Sequence, residues 1–82
     1  MKVKVGVVKH YYDKIGVAIV QLSSGLSVGD KIRFEKGGEE IFEQVVGSIQ
    51  VEHEKIDSAK KGGVVGLKVE MGVKEGAEIF KV

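Results

Sequence analysis

Short stretches of alternating apolar and polar residues recur along the whole chain, separated by turns that contain glycine. "KVKVGVV" places Val3, Val5 and Val7 on one face of an extended strand, and "KIRFEK" directs Ile32 and Phe34 inward, with its charged residues outward. Six or seven such stretches follow one another at a spacing of about ten residues, and none has the 3.6-residue period of a helix. The pattern predicts an all-β fold.

Closure of the sheet follows from the size of the domain. The chain has 82 residues and no linker or low-complexity tract, so we expect a single domain over 1–82. Because exposed sheet edges invite aggregation, a domain this small gains from closing into a barrel. We therefore expect a small closed antiparallel barrel of six to seven strands, with a sandwich as the other possibility.

Turns and bends have their own signals. Gly37-Gly38 predicts a hairpin, and Gly47 predicts a bulge or corner inside a stretch that is too long for one strand. Asp57 or Ser58 is placed to cap one helical turn before the next glycine pair.

Composition narrows the class of function. A domain of 82 residues is too small for a catalytic cleft between lobes, so we expect no enzyme activity. The absence of cysteine excludes disulfides and thiolate nucleophiles and fits a reducing compartment. No apolar run is long enough to span a membrane, and the start lacks a signal-peptide core, so a cytoplasmic location without membrane contact is expected.

Charged residues are distributed unevenly between the two halves of the chain, although the net charge is only +1. Residues 1–36 carry seven basic and three acidic side chains, whereas residues 37–82 carry six and nine. The basic half is able to meet phosphate, but alternating lysines on a strand are more often its solvated face.

The sequence "EHE" at Glu52, His53 and Glu54 raises the question of a metal or acid–base site. On an extended strand the two glutamates share one face and the histidine points to the other, so the three cannot hold one metal. We therefore predict wall residues here, and no metal or cofactor.

Other catalytic patterns are absent. The serines lie outside a strand-to-helix elbow, and the glycine loops match no P-loop, so the chain is not expected to bind GTP by itself. "KHYYDK" combines aromatic and basic residues that can stack on bases, although a tyrosine closing one end of the barrel explains it better.

One family resemblance involves nearly the whole chain. The strings "GVAIVQL", "GLSVGDKIRF" and "SIQVEHEKIDSAKKGGVVGLKV" resemble the second domain of translational GTPases such as elongation factor 1-alpha and EF-Tu. The resemblance implies a Greek-key β-barrel of the translation-factor domain 2 type, here without the GTPase domain. It also implies that Gln50 and His53 occupy positions that hold the terminal adenosine of aminoacyl-tRNA. Similar barrels end some peptidase-like RNA-modification proteins, where the module is an accessory without chemistry of its own.

Three functional hypotheses follow. The first is a non-catalytic module that contacts tRNA or ribosomal RNA in translation. Its candidate nucleic-acid-binding residues are Lys9, Lys14, Lys31, Arg33, Gln50 and His53. The second is a protein-interaction barrel that docks on a separate GTPase, another translation factor or a peptidase-like protein through Tyr11, Tyr12 and Leu26. The third, enzymatic hypothesis needs His10, His53 and a carboxylate to converge.

Overall fold

Antiparallel strands make up most of the chain. The computed structural model describes residues 3–52 and 54–82. These residues form ten strands: β1 (Val3–Tyr12), β2 (Val17–Leu22), β3 (Leu26–Ser27), β4 (Lys31–Lys36), β5 (Glu39–Val45), β6 (Ile49–Val51), β7 (Glu54–Ile56), β8 (Ser58–Ala59), β9 (Val64–Lys68) and β10 (Glu78–Lys81). The prediction of an all-β antiparallel fold is confirmed.

Eight of these strands form one sheet in the order β5-β4-β10-β1-β2-β9-β6-β7, and β3 pairs with β8 separately. Among the described residues β5 and β7 are the two edges of the large sheet, so the predicted closed barrel is wrong: backbone pairing does not join the ends. The strand count exceeds the predicted six to seven because several strands are only two or three residues long.

One buried side chain links the edge strand β5 to the end of β9. The Gln44 amide donates to the Lys68 carbonyl oxygen over 2.9 Å, and its own oxygen accepts from the Glu70 backbone amide over 2.9 Å. Both polar ends of this buried amide are thus satisfied, as burial requires. The sheet therefore curls far enough for a side chain to bridge strands that no backbone ladder connects.

Three register shifts change which residues face the core. They lie between Lys4 and Gly6, between Val8 and His10, and between Phe34 and Glu35. Each shift reverses the alternation of faces beyond it. Val3 is therefore exposed and Val8 buried, whereas Glu35, expected outside, is buried. Ile32 and Phe34 face the core as predicted.

Two of the predicted turns have different outcomes. Gly37 and Gly38 both have positive φ, 62° and 85°, and join β4 to β5 as predicted. No helical turn follows Asp57, because Ser58 and Ala59 pair with β3 as strand β8.

The segment around Glu52 is a chain reversal. Val51 pairs with Glu54, and Glu52 has a φ of 51°. The predicted continuous strand through Glu52 and Glu54 is therefore wrong: β6 ends before Glu52 and β7 begins at Glu54. His53 lies outside the described residues.

Candidate docking groove

The candidate site is a groove on the outer face of the large sheet, where two strands separate. β9 pairs with β2 along its whole length, from Val64 to Lys68. It pairs with β6 only at Gly66 and Leu67. Because β6 turns away after Gln50, a groove of about 440 Å³ opens beside the start of β9.

Apolar side chains form most of the groove wall. Val17 and Ile19 come from the outer face of β2, and Tyr12 and Ile15 flank the turn that joins β1 to β2. Ile15 is 58% exposed and Val64 is 54% exposed. Several large apolar side chains gathered on one open surface are typical of a site that another molecule covers.

The floor of the groove is Gly66, which pairs with Ile19 on one side and Gln50 on the other. A β-carbon added at Gly66 would lie 3.2 Å from Cγ1 of Val17 and 3.8 Å from the Gln50 carbonyl oxygen. A side chain there would fill the groove, so glycine gives it depth.

Polar groups are few in this groove. Gln50 and Glu52 line it, and the edge of the Tyr12 ring packs against His10 with ring centroids 4.4 Å apart. An apolar wall with a small number of polar groups is the composition expected of a recognition site.

Two of the predicted phosphate-binding residues are engaged in ion pairs elsewhere. Arg33 on β4 meets the Glu43 carboxylate at 2.6 Å, and Glu40 and Glu35 lie at 3.5 and 3.9 Å. The hydrogen bond from Arg33 lowers the pKa of Glu43, and the same bond raises the pKa of Arg33. Lys31 also lies 3.5 Å from Glu43. The acidic side chains of β5 thus offset the positive charge that a phosphate would need.

The remaining predicted nucleic-acid-binding residues are spread over the surface. Lys9 on β1 lines a shallow depression, and Lys14 is exposed at the β1–β2 turn. Gln50 lies in the apolar groove on β6, and four strands separate β6 from β4 in the sheet order. The prediction for His53 lies outside the described residues. Among the described residues, the structure does not gather these candidates into one surface.

The enzymatic hypothesis required His10, His53 and a carboxylate to converge, and its His53 part lies outside the described residues. Nδ1 of His10 lies 2.8 Å from Oε2 of Glu75, and both side chains are largely exposed. In the described part of the chain, no group of three potential metal ligands is close enough to share an ion.

Two of the three predicted docking residues are placed differently from expectation. Leu26 is only 1% exposed and belongs to the core, so it is not part of a docking surface. Tyr11 is half-buried against the core, whereas Tyr12 is exposed and lines the groove. Sequence alone missed Ile15, Val17, Ile19 and Val64, because "IGVAIVQL" and "VVGLK" are apolar on both faces and give no sign of which face is covered.

Comparisons with known proteins relate the chain to part of a larger protein. It is 35% identical over 79 residues to an uncharacterised protease of Methanocaldococcus jannaschii. The match includes 96% of this chain but only 19% of that protease, so the chain spans about a fifth of the length of this relative. No protein-family model matches the chain.

Two solved structures are also similar to this chain over nearly its whole length. The chain is similar to the C-terminal domain of a protein of Geobacillus thermoleovorans that is named as a U32 peptidase. One crystal structure of that domain, the selenomethionine variant, superposes with a TM-score of 0.89 at 27% identity and covers 96% of this chain and 99% of that one. A second gives a TM-score of 0.87 at 28% identity, with 95% and 90% covered.

These similarities correct the proposed relationship to translational GTPases. The solved structures point to the C-terminal domain of a U32 peptidase, and the sequence relative is named as a protease; neither is the second domain of EF-Tu or elongation factor 1-alpha. The translation-module hypothesis was therefore wrong, and tRNA, ribosomal RNA and translation factors have no support as partners. The peptidase-like alternative fits better.

The described residues contain no helix with the length and apolar character that a membrane span requires.

Proposed function

We propose that the chain is a non-catalytic docking module that associates with a peptidase-like protein body through the groove beside β9. The observation that carries the proposal is an open apolar surface formed by the exposed side chains of Tyr12, Ile15 and Val64 and the partly exposed side chains of Val17 and Ile19. The similarity to the C-terminal domain of U32 peptidases indicates the kind of partner.

A non-catalytic role is supported by the chemistry of the surface. The contact of His10 with Glu75 is open to solvent, and the groove walls are mostly aliphatic. A general base acts within hydrogen-bond reach of a bound substrate, and an exposed side-chain pair that does not line the groove offers no such position. An open apolar groove of this size is suited to binding a partner protein.

The test uses the M. jannaschii protease from which the segment matching this chain has been removed. The chain is added in trans and binding is measured by calorimetry at low and high salt, with the excised segment itself as the positive control. Apolar contact predicts binding that changes little between the two salt concentrations.

Two valines give a matched pair of variants. Val64 lies in the groove and is 54% exposed, and Val45 on the edge strand β5 is 57% exposed. Val64→Lys places a charge in the apolar contact, so we expect it to weaken binding about tenfold. Val45→Lys should leave binding unchanged. Thermal unfolding of both variants checks that each remains folded.

Three results would contradict the docking proposal. If the excised segment binds the truncated protease and this chain does not, the docking role of the chain is wrong. If neither binds, docking as such is wrong. Equal weakening by both lysine variants would place the contact outside the groove.

A further inference from the structure

One acidic side chain, that of Glu52, lies in the lining of the apolar groove. Of the described residues that line it, Glu52 alone has a carboxylate, and none is a lysine or arginine. Glu52 directly follows β6, and the antiparallel pairing of Gln50 with Gly66 directs the residues after Gln50 toward the Val64 end of β9. An anionic group beside an aliphatic wall favours a ligand that is apolar along most of its length and cationic at one position.

The backbone at Glu52 is held in a conformation that glutamate disfavours. Its φ of 51° lies in the left-handed region, where glycine is the usual residue. Among the described residues it is the one non-glycine position with positive φ. Glycine would relieve this strain but would remove the carboxylate from the groove, and disfavoured backbone of this kind concentrates at binding sites.

The start of β9 also has one side that no described strand occupies. β2 pairs with Val64 and Val65, but β6 reaches only as far as Gly66 on the opposite side. An extended peptide can lie along such an uncovered strand segment and direct alternate side chains toward the sheet surface.

A lysine that does not line the groove lies at the opposite end of β9. Lys68 lies four residues along β9 from Val64, and its amine donates to the Ile15 carbonyl oxygen over 2.9 Å. Four residues of strand correspond to about 13 Å. The positive charge of Lys68 is therefore held away from the Val64 end of the groove.

We infer that the groove binds an extended segment of a protein partner in which an apolar side chain is followed, two positions later, by lysine or arginine. The apolar side chain enters the groove over Gly66, and the basic side chain on the same face of the segment pairs with Glu52. The inference rests on the proposed docking function and names the chemistry of the docked segment.

The test uses two nine-residue peptides. Each consists of threonines with leucine at the centre, and the residue two positions later is lysine in one peptide and glutamate in the other. Amide resonances of the ¹⁵N-labelled 82-residue chain are followed during titration of each peptide at low salt. Shifts should concentrate at Gln50, Val64 and Gly66, and the lysine peptide should bind about tenfold more tightly than the glutamate peptide.

Substitutions at Glu52 test whether its carboxylate causes the preference for lysine. Glu52→Gln should remove the preference for lysine, and Glu52→Lys should reverse it. Glu54→Lys is the matched control, because Glu54 is acidic and exposed on the adjacent strand β7 but does not line the groove. That variant should keep the preference of the original chain.

The outcomes separate this inference from the docking proposal. If neither peptide binds, or both bind equally, while the truncated protease still binds in a Val64-dependent manner, the inference is wrong and the docking function stands. If the lysine preference is present but the protease does not bind, the groove chemistry is right and the peptidase-body partner is wrong. Groove shifts that depend on the concentration of the chain without peptide identify a second copy as the occupant and overturn the inference.

Discussion

At the scale of single residues, the clearest differences from the sequence pattern arise where backbone geometry overrides it. Glu35 lies at a position that alternation assigns to solvent, yet the register shift beside it turns it inward. Leu26 is an apolar residue in a turn-like stretch and was expected at the surface, yet it packs in the core. Periodicity indicates which residues alternate, but it does not reveal where one residue is inserted into a strand.

Gly6 illustrates a residue that only the structure explains. A β-carbon at this position would lie 2.6 Å from the Gln21 carbonyl oxygen and 2.8 Å from Cγ1 of Val20. Because the first of these atoms belongs to the backbone of the paired strand, β1 and β2 would have to move apart. We expect Gly6→Ala to lower the free energy of unfolding by about 2 to 3 kcal/mol, as overpacking of a core does.

The measurement for Gly6→Ala is urea denaturation followed by circular dichroism. Gly47→Ala is the control, because an added β-carbon there meets no atom within 4 Å. That variant should stay within about 0.5 kcal/mol of the original chain. Equal stability of Gly6→Ala and Gly47→Ala would contradict the close approach of β1 to β2.

At the scale of strands and turns, local patterns predicted the strands well and their ends less well. The Gly37-Gly38 hairpin was predictable because two glycines with positive φ suit a tight reversal between paired strands. The reversal at Glu52 was not, because glutamate gives no turn signal and its φ of 51° is atypical for the residue. The same reversal moves β6 away from β9, so the groove could not be predicted either.

The link between β5 and β9 depends on the buried side chain of Gln44. Gln44 satisfies one carbonyl and one amide, and Gln44→Met would leave both without that partner. We expect the free energy of unfolding to fall by about 2 kcal/mol, because an unsatisfied buried polar group costs about 1 to 3 kcal/mol. Chemical denaturation with the linear extrapolation method measures the change.

Gln50→Met provides the comparison for this change. Gln50 lies on β6, which pairs with β9, but it is only partly buried, in the open groove. Its replacement should alter the free energy of unfolding by less than about 0.5 kcal/mol. A loss at Gln50 as large as the loss at Gln44 would contradict the bridging role of Gln44.

At the scale of the whole molecule, the sequence predicted the fold class, but the family resemblance drawn from it was wrong. An all-β antiparallel domain follows from alternation and glycine turns, whereas closure depends on how far the sheet curls, which no local pattern records. The resemblance to translational GTPases rested on core-sized residues and turn glycines that many small β domains share. The similarity to the C-terminal domain of the G. thermoleovorans U32 peptidase, which extends over almost the whole chain, contradicts that resemblance.

The central claim is that this domain meets its partner with the groove beside β9 and not with the charged face of β4 and β5. The most direct measurement is a footprint of the truncated M. jannaschii protease on the ¹⁵N-labelled chain, obtained from amide resonance changes. We predict changes concentrated at Tyr12, Ile15, Val64 and Gly66. Changes concentrated instead around Arg33 and Glu43, with the groove resonances unaffected, would contradict the account.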